Sequence, residues 1–257
     1  MFAGVLLTLV AAGCGGSGNK GNAGNGSPGP AVDPVATVGS TAVTGASLAY
    51  WMPPLFTGTF YELTQKQAPA GVVSLQPHYD VCVAGLRSVV VNKQRWTSAR
   101  LMKTCEDLHK ALTAQAVSYV VGSAVLEAQA AEQGVVVKRA EAEREFKRIQ
   151  SQQFPSEAEL QRYLSQRRWT VPQELFLVKR DVLSTRLKKV LEKKFRRRGG
   201  YSAIVKYASR SNRLWTGRTS CMPGYIASGC RQFGPAQEAV AAKSRSASSL
   251  IEELVAK

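Results

Sequence analysis

Residues 116–195 read AVSYVVGSAVLEAQAAEQGVVVKRAEAEREFKRIQSQQFPSEAELQRYLSQRRWTVPQELFLVKRDVLSTRLKKVLEKKF, and four helical patterns follow one another in them with short breaks. Val117, Val120, Val121, Ala124, Val125 and Ala128 recur at spacings of three and four, which makes one apolar helix face. Gly134 ends that pattern, where a left-handed C-terminal position would strain any residue with a Cβ. In the next pattern Ala142, Phe146 and Ile149 share one side, and Glu143 stands four residues before Lys147 on a charged side. The last and longest pattern runs from about Val171 to Phe195. Leu175, Val178 and Val182 form one apolar row there, and Phe176, Leu183, Leu187, Val190 and Leu191 a second beside it. A stripe that wide predicts burial against other helices.

Two helix starts are marked by capping boxes. Ser156 is followed three residues later by Glu159, and Thr170 by Gln173, so each side chain can satisfy the other residue's orphan backbone N–H. Pro155 and Pro172 fall at or beside these starts, where a missing donor costs little. The expected fold class is mainly α, a multi-helix domain with a small N-terminal β-hairpin.

The order of a long apolar helix, "EQGVVVKRAEAE", "QFPSEAELQRYL" and "TVPQELFLVKRDVLSTRL" resembles the N-terminal chaperone domain of SurA/PrsA-type extracytoplasmic foldases. The resemblance covers roughly residues 35–233 and is sharpest from Ala116 to Leu191. It lies in the order and spacing of the set, since none of these motifs is catalytic. The segment "WTGRTSCMPGYIASGCRQF" resembles the end of some actinobacterial foldases, where it follows a parvulin isomerase domain. Between Leu191 and Trp215 this chain has no room for such a domain. The resemblance therefore implies client holding without prolyl isomerisation.

Towards the N-terminus, Met1–Gly13 is an apolar run too short for a bilayer, which needs about 20 residues. It suits the core of an export signal, and the small residues before Cys14 look like a lipoprotein site at which that thiol is acylated. The run lacks the usual basic start, and Ala11 stands where Leu is commoner. Residues 1–14 are thus read as signal and lipobox, and 15–34, rich in Gly, Asn, Ser and Pro, as a disordered tether. "VATVGSTAVTG" (35–45) alternates around Gly39-Ser40 and predicts a hairpin, with Thr44 capping a short helix through Leu48 and Trp51. Pro53-Pro54 is expected to stop that helix, followed by a long irregular connection to residue 80. A second helix holds Val81, Val83, Leu86 and Val89, and a basic loop leads into one holding Leu101, Leu108 and Leu112. The helical domain is expected over 35–195, a helix and cysteine loop packed on it over 196–233, and a tail, helical at its end, over 234–257.

Of five cysteines, Cys14 is assigned to lipidation, leaving Cys82, Cys105, Cys221 and Cys230. An even number on an exported chain favours disulfides. Three pairings are possible, and the expected one is Cys82–Cys105 with Cys221–Cys230, the second closing a loop with turn glycines at Gly224 and Gly229. A four-cysteine zinc site is disfavoured because no C-x-x-C pair occurs.

Enzyme readings find little support. The two histidines, His78 and His109, lie in no nucleophile–base motif, and "GCGGSG" lies in the tether rather than between a strand and a helix. Glu141 and Glu145 sit at helical spacing among arginines, the pattern of a solvated face. No catalytic residue, metal or cofactor is expected. Charge is the stronger signal: the formal net charge is +16, and residues 138–218 hold 22 Lys and Arg against 8 Asp and Glu, a net of +14. An export signal selects an anionic membrane surface or cell wall as partner over nucleic acid. Two functions fit. One is a membrane-anchored extracytoplasmic chaperone that holds unfolded, newly exported proteins in an apolar cleft. The other is a non-catalytic basic module for anionic wall polymer or lipid.

Overall fold

The computed structural model describes residues 34–73, 78–91, 93–197 and 199–256. The Cys14 lipidation site and the tether up to residue 33 lie outside them. The fold is mainly α with a small antiparallel sheet on the N-terminal side.

Strands β1 (Pro34–Val38) and β2 (Thr41–Thr44) form the hairpin, turning at Gly39, whose φ of 58° favours glycine. Gly39 also sits against the Trp215 ring, where an added Cβ would come within 3.3 Å. Thr44 accepts a hydrogen bond from the Ser47 N–H and caps helix α1. The expectation that Pro53-Pro54 ends this helix is corrected: α1 runs from Gly45 to Thr64 with both prolines inside it. A proline at 54 leaves the Tyr50 carbonyl without its helical donor. That carbonyl instead accepts from Gln173 Nε2 (3.3 Å), and Trp169 Nε1 donates to the Pro54 carbonyl (3.1 Å). Gln173, near the start of a distant helix, thus supplies the donor that Pro54 removes, and residues 57–64 of the expected irregular connection are helical.

Helix α2 (Tyr79–Val89) is tied by the Cys82–Cys105 disulfide to α3 (Ser98–Glu132). Thr97 caps α3, accepting from the Arg100 N–H at 3.2 Å. This one helix of 35 residues joins the segment of Leu101, Leu108 and Leu112 to that of Val117–Ala128, and both stretches face the core. By length and composition α3 could cross a membrane, but most of its apolar window is buried inside the fold. Gly134, at φ 70°, ends it as expected: its N–H reaches the Ala131 carbonyl (2.9 Å) and the Val135 N–H reaches Ala130 (2.8 Å).

Helices α4 (Arg139–Gln153), α5 (Glu157–Arg167) and α6 (Val171–Phe195) follow with short links. Thr170 and Gln173 form the complete capping box of α6, whereas at α5 the structure holds the Ser156 half, which accepts from the Glu159 N–H at 3.3 Å. On α4, Glu143 pairs with Arg139 at 2.7 Å rather than with Lys147. Helix α7 (Gly200–Gly217) turns back along α6 and is followed by β3 (Thr219–Cys221), which pairs antiparallel with β1 to give the order β2-β1-β3. The second disulfide, Cys221–Cys230, closes the loop after β3. Helices α8 (Pro235–Lys243) and α9 (Ala247–Val255) complete the chain. The expected tail is part of the core: Leu250, Ile251 and Leu254 of α9 are fully buried, and Glu253 pairs with Arg100 of α3 at 2.7 Å. Arg245, just before α9, bonds both Glu253 and Asp107.

Two apolar clusters share α3. The larger joins the sheet, α1, α2, α9 and α3 as far as Val125. The smaller joins Leu126 and Ala130 of α3 to Ala142 of α4 and to Leu183, Leu187 and Leu191 of α6. Trp51 of the larger cluster stacks with Tyr119 and Phe176, which pack against that cluster, with ring centroids 4.8–6.1 Å apart.

Candidate functional site

The smaller cluster does not fill the space around it. Between α4, the first half of α6 and the end of α3 lies a groove of about 1170 Å³. Its floor comes from Ala142 and Leu183, with Val135 and Val137 from the loop after Gly134. Phe146 of α4 forms one wall, and Val171, Leu175 and Phe176 of α6 the other. The reason these side chains are left together is local. The chain leaves α3 at Gly134 and runs to α4 through three consecutive valines, whose successive side chains cannot all turn inward. Val135 and Val137 are buried, while Val136 is 67% exposed into the groove. Val171, in the first turn of α6, is exposed as well. Those two side chains are apolar surface that only an occupant could remove from water.

The rim is charged. Lys138, Arg139, Glu143, Lys147 and Lys179 stand around the apolar floor. Lys179 bonds Glu127 across the floor of the groove at 2.6 Å, and Arg139 is paired with Glu143. Lys138 and Lys147 have no described carboxylate within 4 Å, so the rim is net positive. Arg186 of α6 fixes the valine loop: Nη1 donates to the Val136 carbonyl (3.3 Å) and Nη2 to Glu141 (2.9 Å), whose other oxygen accepts the Lys138 N–H (2.9 Å). The Arg186 bond first, and the Lys138 N–H second, hold the Glu141 carboxyl below the usual carboxylate range.

Behind the α6 wall, α5 docks on α1. Tyr61 bonds Gln166 (3.0 Å), and the Arg167 guanidinium lies over both Tyr61 and Tyr163, 4.4 and 4.1 Å from the ring centroids. Glu174 stands beside them with Oε1 buried and without a hydrogen-bond partner among the described residues. Burial pushes the Glu174 carboxyl up, against the pull of Tyr163 and Arg167, and pushes the Tyr163 hydroxyl up to about 12.

The groove holds no nucleophile–base pair among its described lining residues, and its chemistry is that of apolar contact with a cationic edge. Among the described residues no group of three or more His, Cys, Asp or Glu could hold a metal ion, and Cys82, Cys105, Cys221 and Cys230 are all in disulfides. His78 precedes α2 and His109 packs edge-on against Tyr79, with centroids 6.3 Å apart; neither lines the groove. The apolar faces read from the sequence of α4 and α6 contain the walls, but which residues face one another across a cleft is set by how the helices cross. The one local signal was Val135–Val137, an apolar run placed directly after a helix-ending glycine, where polar loop residues are usual. No family model, curated protein or solved structure matches the chain.

Proposed function

We propose that the protein is a membrane-anchored extracytoplasmic holdase of the SurA/PrsA type, and that the groove between α4 and α6 is where it holds unfolded exported chains. The observation that carries this reading is the exposed apolar lining, Val136 and Val171 above a buried floor, framed by helices rather than filled by them. Non-directional apolar contact suits clients of many sequences. Burying roughly 300 Å² of apolar surface is worth about 7 kcal/mol before costs, at about 25 cal/mol per Å². Ordering an unfolded client offsets most of that, so holding is weak and reversible, as release without ATP requires.

The non-catalytic part of the reading is supported by the link between α6 and α7, which comprises residues 196–199. A parvulin domain of the kind found in the resembled foldases has no place there. The test is a paired assay on one preparation. Aggregation of a chemically denatured client is expected to slow at stoichiometric ratio, and prolyl-peptide isomerisation to stay at background. Isomerisation well above background, or no slowing of aggregation, would overturn the proposal.

A further inference from the structure

Residues 193–218 hold nine Lys and Arg and no Asp or Glu. Elsewhere in the fold cations are commonly paired, as Arg100, Lys179, Arg186 and Arg245 show. On α7 no described carboxylate lies within 4 Å of Lys206, Arg210 or Arg213. At about 100° per residue these three fall within roughly 60° of one another, on the side away from the buried Ser211 and Trp215. Their stripe has apolar shoulders. Val205 (47% exposed) flanks it on one side and Leu214 (46%) on the other.

We infer that this outward face of α7 docks on an anionic lipid bilayer. Cations alone would serve for any polyanion, but exposed Val and Leu beside them gain only where an interface admits apolar side chains. That distinguishes a bilayer from a soluble wall polymer. The placement of the tether agrees. β1 pairs with β3, which directly follows α7, and the Gly39 N–H bonds the Arg218 carbonyl at 2.9 Å. Pro34, where the expected tether joins the fold, is the far end of that five-residue strand, less than about 20 Å from the end of α7. A lipid on Cys14 and the α7 face would therefore address the same surface. One acyl chain anchors only marginally, and a basic face is the second contact that makes anchoring stable.

The test uses the full chain carrying Cys14→Ser, so that no acyl group contributes, in co-sedimentation with vesicles. Binding is expected to phosphatidylcholine vesicles containing about one-third phosphatidylglycerol, to weaken between about 0.1 and 0.5 M salt, and to be absent for phosphatidylcholine alone. Each basic residue near an anionic surface contributes about fivefold, so Lys206→Gln/Arg210→Gln/Arg213→Gln should weaken partitioning by at least about tenfold. A second variant, Val205→Ser/Leu214→Ser, should lose vesicle binding while keeping any binding to soluble polyphosphate. Both variants lie on exposed positions, and an unchanged thermal melt confirms that they fold. Equal binding to neutral vesicles, salt-insensitive binding, or undiminished binding by the glutamine variant would overturn the proposal. Vesicle binding untouched by the serine substitutions, with polyphosphate competing, would reassign the face to a soluble polyanion and also overturn it.

Discussion

Gln173 links the end of one helix problem to the start of another, and its removal should be felt at both. Its Oε1 accepts the Thr170 N–H (2.8 Å), and its Nε2 donates to the Tyr50 carbonyl (3.3 Å), which Pro54 leaves without a helical donor. Gln173 is itself only 5% exposed, so little water replaces it in place. Loss of the capping box costs about 1 kcal/mol. Leaving the Tyr50 carbonyl unpaired costs about 1–3 kcal/mol, and the lower half applies because the Tyr50 side chain is half-exposed and water can approach. Gln173→Ala should therefore destabilise by about 2–3 kcal/mol, lowering Tm by about 4–12 °C for a chain of this size. The diagnostic is a double-mutant cycle with Pro54→Ala. An alanine at 54 restores an N–H to the Tyr50 carbonyl, so Gln173→Ala in that background should cost only the capping box, and the two changes should couple by about 1 kcal/mol. Urea melts of the four proteins measure it. Strict additivity would refute the argument that α6 repairs the proline site of α1.

Glu174 gives a pH prediction. Its folded pKa is raised by burial above the ordinary 4.5, so the ionised carboxylate opposes folding at neutral pH. Glu174→Gln should raise Tm at about pH 7, the gain shrinking as pH falls through the raised pKa and vanishing below about 4.5; a pH-independent gain would point to packing instead. Peptide mapping of the exported protein without reduction should recover the Cys82–Cys105 and Cys221–Cys230 cross-links, and mass spectrometry of the same material should find Cys14 acylated at the new N-terminus. Free thiols would contradict the proposed export to an oxidising compartment, and an unmodified Cys14 the proposed anchor.

Local rules made much of this fold legible. Thr170–Gln173, Ser156 and Gly134 mark helix boundaries through hydrogen bonds made within a few residues, the first two starting a helix and Gly134 ending one where expected. The failures involve partners far along the chain. Pro53-Pro54 reads as a stop because its remedy, Gln173, lies 123 residues beyond the carbonyl it bonds. β3 is three residues long, too short for alternation to be read, and is a strand only because β1 offers it an edge. α9 has nine residues, and its two buried turns cannot be told from a tail until α1 and α3 are seen to lie against them. The groove was the least legible of all, because the sequence states which faces of α4 and α6 are apolar but not which of those residues face one another across a cleft.

The central claim is that the α4–α6 groove holds clients. The direct measurement is client aggregation in the presence of Val136→Asp/Val171→Asp. Both side chains are exposed at the groove, so the fold should tolerate the change and the Tm should stay close to that of the parent. A desolvated carboxylate opposed to an apolar client costs several kcal/mol, enough to abolish weak holding. The account predicts that the parent slows aggregation at stoichiometric ratio and that the folded variant does not. A folded variant that protects the client as well as the parent would place client binding elsewhere and contradict it.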